Sequence, residues 1–97
     1  MTTKQKEAIE NLIEEFDFEK AHALFMIMGW RYFDSGIAPS IERMKQTAKE
    51  LLEAAVIDGT RRGNSSYFES GRFKATYSPL DKELELALVF DYSMAYV

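Results

Sequence analysis

The sequence predicts an α+β domain: three helices packed on a small sheet, in the order α-α-β-α-β-β, ending in a C-terminal antiparallel hairpin. Three observations lead there. Ile9, Leu12, Ile13 and Phe16 recur at i, i+3, i+4 and i+7, one apolar helix face. Ile41, Met44, Ala48, Leu51, Leu52, Ala55 and Val56 form a second, longer stripe of the same kind. Residues 72–91 instead alternate with period two around a proline turn, the pattern of a strand pair with one covered face. The chain of 97 residues makes one domain, residues 1–97, and its 46% hydrophobic content is that of a globular core.

The first helix is expected over residues 3–16, with Glu7, Glu10 and Glu14 on a solvated face and Asp17 extending that spacing. Asp17 then caps a second helix, because its carboxylate accepts a backbone N–H and Glu19 suits the first turn. The run AHALFMIM is apolar on nearly every face, so this helix is expected at the centre, with Gly29 as its stop. Trp30 to Phe33 places three aromatics in four residues, a short strand by propensity. Asp34-Ser35-Gly36 turns the chain, and Ser40 caps a third helix from Ile41 to about Ile57, closed by Gly59.

In the hairpin, Phe73, Ala75 and Tyr77 share one face. Ser78-Pro79-Leu80-Asp81 forms the turn, and Leu84, Leu86, Leu88 and Phe90 alternate with Glu83, Glu85, Ala87 and Val89. Glu, Leu and Ala favour helix by propensity, but a helix would scatter these leucines around its circumference, so the alternation decides for strand. The expected core is Ile9, Leu12, Ile13, Phe16, Ala21, Leu24, Phe25, Met28, Trp30, Met44, Leu51, Leu52, Ala55, Phe73, Leu84, Leu86, Leu88 and Phe90.

The chain has no cysteine, which excludes a disulfide framework and a thiolate metal site and is compatible with a reducing cytoplasm. Its start is polar and charged, unlike a secretory signal, and its longest apolar run, about Ala23 to Trp30, is far short of a membrane span. We expect a cytoplasmic protein with no membrane contact.

Charge is unevenly placed. Residues 59–77 carry four basic groups against one acid, net +3, which leaves −7 on the rest of a chain whose formal net charge is −4. Arg61, Arg62, Arg72 and Lys74 are interleaved there with Tyr67, Phe68 and Phe73. Arginines supply planar donors and aromatics supply anchoring or stacking surfaces. Three uses are open: pairing with the chain's own acidic faces, an edge for a protein partner, or a few phosphate contacts giving weak, salt-sensitive nucleic-acid binding.

No catalytic constellation assembles. His22 is the only histidine, inside the apolar second helix and without a nominated nucleophile or orienting partner. Asp34, Asp58 and Asp81 lie beside turns or helix ends, where capping explains them. The row Glu7, Glu10, Glu14 and Asp17 could mimic a nucleic-acid backbone, but a solvated helix face explains it and the total charge is modest. No phosphate loop, nucleophile elbow or metal-ligand spacing is present. We therefore expect no enzyme, no cofactor and no bound metal. The apolar tail, residues 91–97, is expected either to extend the last strand or to join two copies of the chain through it.

The stretch FDFEKAHALFMIMGWRYFDSGIAPSIERMKQTAKELLEAA, residues 16–55, resembles small uncharacterised proteins of bacteriophages and of prophages in gut bacteria. The shared features are F-D-F-E-K at a helix start, a tryptophan before a short aromatic strand, a D-S-G turn, and P-S-I-E before a long helix. A glycine-serine insert and an alternating terminal strand also fit. These motifs are structural, so the resemblance implies an accessory protein of a mobile element and transfers no site residue. The expectation is a non-enzymatic accessory protein acting on an unidentified protein partner. Its candidate contact residues are Arg61, Arg62, Tyr67, Phe68, Arg72 and Lys74; weak nucleic-acid binding by the same insert is the alternative.

Overall fold

A computed structural model describes residues 1–28 and 40–89. Three helices, α1 (Thr3–Glu15), α2 (Phe18–Met28) and α3 (Ile41–Arg62), precede three strands, β1 (Ser66–Ser70), β2 (Phe73–Ser78) and β3 (Glu83–Leu88). The strands form an antiparallel meander, β1-β2-β3. The α+β class and the C-terminal hairpin are as expected. The strand expected at Trp30–Phe33 and the tail beyond Val89 lie outside the described residues, as do the Met28 side chain, Trp30 and Phe90 of the expected core. Among the described residues no helix is long and apolar enough to cross a membrane.

Local chemistry sets the helix ends. Thr2 and Gln5 close a capping box on α1: the Gln5 N–H donates to Thr2 Oγ1 at 3.1 Å and the Thr2 N–H to Gln5 Oε1 at 2.8 Å. Asp17 Oδ1 accepts the Lys20 N–H at 2.9 Å, and Ser40 Oγ accepts that of Arg43 at 3.1 Å, so both predicted caps form. The third helix, however, does not stop at Gly59. It runs on through Arg62 and ends at Gly63, whose φ of 70° is the left-handed conformation that terminates helices. Gly59 is interior for another reason. A Cβ there would stand 2.8 Å from Cδ2 of Tyr77, so the helix needs a residue without a side chain where the ring crosses it.

Two further expectations change. Ser66–Ser70, within the basic insert to which the sequence assigns no element, is a strand; it joins β2 through Gly71 and Arg72, both at positive φ (56° and 72°), a tight hairpin turn of the kind that matches strand twist. And α2 is not buried all round. Phe18, Ala21 and Phe25 point inward, while Met26 and Ile27 are exposed, Ile27 to 80%. An apolar sequence without period could not say which face met α3.

The core lies between the helices and one sheet face. In register, Ser66, Phe68 and Ser70 oppose Tyr77, Ala75 and Phe73, which in turn oppose Leu84, Leu86 and Leu88. This face meets α3 through Met44, Ala48, Leu52, Ala55 and Val56, all buried. Phe73 is the aromatic hub, with ring centroids of Phe16, Phe18 and Phe25 at 5.8, 5.9 and 6.2 Å. The other face is polar, carrying Tyr67 and Glu69, then Lys74 and Thr76, then Glu83 and Glu85.

Candidate functional site: the open edge at β1

The hairpin's hydrogen-bond phase decides what β1 offers to solvent. The Val89 N–H donates to the Arg72 carbonyl at 2.8 Å, so the bonding groups of Arg72 face β3. Along a strand these groups alternate sides, so Phe73, Ala75 and Tyr77 turn theirs toward β1. They meet Ser70, Phe68 and Ser66. The N–H and C=O groups of Tyr67 and Glu69 therefore point the other way, off the edge of the sheet, where no strand among the described residues pairs with them. Tyr67 is 57% exposed and Phe68 36%, an aromatic pair flanking this open backbone from opposite faces.

The six predicted contact residues fall in three places. Arg61 and Arg62 belong to the last turn of α3, where cations suit the helix dipole. Both reach Asp58: Arg61 Nη2 lies 3.2 Å from Oδ1 and Arg62 Nη1 3.1 Å from Oδ2. The Ser66 hydroxyl also donates to Asp58 Oδ2, at 2.6 Å. Asp58 thus ties the end of α3 to the start of β1, a role that turn chemistry alone did not reveal. The Ser66 hydrogen bond, against partial desolvation and with help from the two arginines, holds its carboxyl below the ordinary value.

Tyr67 and Lys74 meet on the polar sheet face, with Lys74 Nζ 5.6 Å from the Tyr67 ring centroid. The Glu69 carboxylate on the same face, chiefly through hydrogen bonding and with some desolvation, raises the Tyr67 phenol above its ordinary pKa. Phe68 is on the opposite, helix-facing side of the same strand. Arg72 occupies the hairpin turn beside Gly71, whose Cβ position lies 3.4 Å from the Thr47 side chain. Thr47 and Arg62 are fifteen residues apart on α3, about 22 Å along its axis. The basic insert is therefore not one patch. Its cations bracket β1, two at the start and one at the end, with Lys74 on the neighbouring strand.

Because the depressed Asp58 pKa belongs to the folded state, its stabilisation is present above the unfolded carboxylate value and is lost as pH falls through the folded one. Thermal melts of the wild type and Asp58→Asn between about pH 2 and 7 should differ by a constant amount above about pH 5 and converge in acid. A difference that persists unchanged at the acid end would mean that the Asp58 charge is not what joins α3 to β1.

His22 is half-buried on α2, and among the described residues no group of histidines and carboxylates is placed to hold a metal. Compared with known proteins, the chain matches no family model, no curated protein and no solved structure.

Proposed function

We propose that this chain is a non-enzymatic interaction module that receives an extended, acidic segment of a partner protein along β1. The observation that carries the reading is the open edge itself: outward backbone groups at Tyr67 and Glu69, with exposed aromatic side chains alongside. Strand addition draws affinity from such main-chain groups and specificity from the side chains beside them. Arg61 and Arg62 at one end and Arg72 at the other supply the complementary charge for an acidic segment. An accessory role in a phage or prophage, in the cytoplasm, is part of the proposal and rests on the resemblance of residues 16–55.

Nucleic acid is the weaker reading. The cations do not line one groove, and Lys74 shares its sheet face with Glu69, Glu83 and Glu85, which would repel a phosphate backbone laid across it.

Proline distinguishes the edge from the fold. Glu69→Pro removes an N–H that faces solvent, the one place where strands tolerate proline. Phe68→Pro removes an N–H bonded to β2 and should cost about 1 kcal/mol or more. In pull-downs from nuclease-treated bacterial lysate, the wild type and Glu69→Gln should retain the same partner, and Glu69→Pro should lose it with its melting temperature nearly unchanged. Serine at Arg61, Arg62 and Arg72 together should also release the partner without unfolding the domain. Capture by Glu69→Pro equal to wild type would overturn strand addition, and capture abolished by nuclease would favour nucleic acid.

A further inference from the structure

A second feature is independent of β1. Where the start of α1 faces the sheet, a half-open cavity of about 490 Å3 is walled by Ala8, Val56, Leu84 and the ring of Tyr77. Lys4 and Lys82 stand at its rim, and among the described residues no acid lines it, although the chain as a whole is acidic. The first turn of α1 is also without an acid, contrary to the usual preference at the positive end of a helix dipole; Lys4 and Lys6 stand there instead. Both the dipole and the lysines therefore raise the potential at the mouth.

Polar groups inside are held in place. The capping box fixes the Gln5 side chain, whose Nε2 donates to Thr60 Oγ1 at 3.2 Å and, more weakly, to the Tyr77 hydroxyl at 3.5 Å. Tyr77 is only 7% exposed, and its ring is pinned against Gly59. Its oxygen accepts from Gln5, while its own proton has no acceptor among the described residues. A fixed donor in an apolar pocket with a cationic mouth is the arrangement that orients a small ligand.

The geometry points to a binding site for a small carboxylate with an apolar body. The body lies against Val56, Leu84 and the Tyr77 ring, and the anionic head stands between Lys4, Lys82 and the start of α1, within reach of the Tyr77 hydroxyl. The volume is within the range of small-molecule pockets and admits a chain of several carbons.

Octanoate is the probe, read by heteronuclear NMR of the whole chain. It should shift the amides of Thr3, Lys4, Gln5, Lys82 and Leu84 saturably. Acetate, which has the head without the body, and 1-octanol, which has the body without the charge, should each bind at least about 10-fold more weakly. Lys4→Glu together with Lys82→Glu, at exposed positions whose replacement leaves the core intact, should weaken octanoate by about 10-fold or more, and Tyr77→Phe by about 3- to 10-fold. Shifts centred instead on Met26 and Ile27, no saturable shift at all, or octanoate binding unchanged in the double lysine variant would each overturn the site.

Discussion

Phe73→Ala should cost about 3–5 kcal/mol, a large share of the roughly 5–15 kcal/mol that stabilises a domain of this size. Phe73 is 1% exposed and is the only described ring that touches Phe16, Phe18 and Phe25 together. Phe16 follows α1, and Phe18 and Phe25 belong to α2, so one side chain of β2 secures both helices to the sheet. Truncation removes its transfer free energy and leaves a cavity that three rings cannot collapse into without leaving their own contacts. Phe73→Leu, which keeps most of the volume, should cost about 1.5 kcal/mol or less. Urea unfolding measures both. A loss under about 1.5 kcal/mol for the alanine variant would show that the helices are held to the sheet by something other than this cluster.

Gly59→Ala should destabilise by about 1–3 kcal/mol, although alanine in place of glycine inside a helix ordinarily stabilises by up to about 1 kcal/mol. The added methyl would meet Tyr77 Cδ2 at 2.8 Å and the Asn64 carbonyl oxygen at 3.3 Å. The ring is buried and the second obstacle is backbone, so neither yields easily. The tighter of the two contacts is with the ring, so a double-mutant cycle isolates that share. In a Tyr77→Ala background the Gly59→Ala penalty should fall by at least about half, leaving the contact with the Asn64 carbonyl. A penalty of the same size in both backgrounds would assign it to the helix and not to the packing of β2 on α3.

Gly59 also shows why part of the fold was hidden from sequence. A glycine after an amphipathic stripe is the ordinary sign of a helix end, and Gly63, four residues on, follows Thr60, Arg61 and Arg62, with no apolar residue to mark it as the stop. What decides between them is a ring eighteen residues downstream in β2, a long-range contact with no local signal. The same error moved Arg61 and Arg62 out of the helix that holds them. β1 was missed because Ser-Tyr-Phe-Glu-Ser lacks an apolar alternation; its inward positions are two serines and one phenylalanine, and its turn is Gly-Arg instead of a familiar hairpin pair. The glycines on either side and the adjacent aromatics were the available signal.

Where one face is apolar and the other is not, sequence sufficed. The alternation of Phe73, Ala75 and Tyr77 with Lys74 and Thr76 is the observed burial pattern, and Leu84, Leu86 and Leu88 turn toward the core while Glu83 and Glu85 turn away. Phe18 was overlooked because it directly follows a cap and precedes two charges, yet it is nearly fully buried. Of the aromatics interleaved with the cations, Tyr67 and Phe68 are exposed and Phe73 is buried, a division that composition does not give, and composition could not say that the cations stand at two ends of a strand. Charge counted along a sequence carries no direction; the helix and hairpin give it one.

The central claim is that the edge of β1 is open, and amide hydrogen exchange in the free protein tests it without a partner in hand. Phe68, whose N–H bonds β2, should exchange at least about 100-fold more slowly than Tyr67 and Glu69 on either side of it. That sawtooth would establish two outward donors available to an incoming strand. Equal protection at all three positions would mean that the edge is already occupied, and β1 would then not be the surface through which this protein binds a partner.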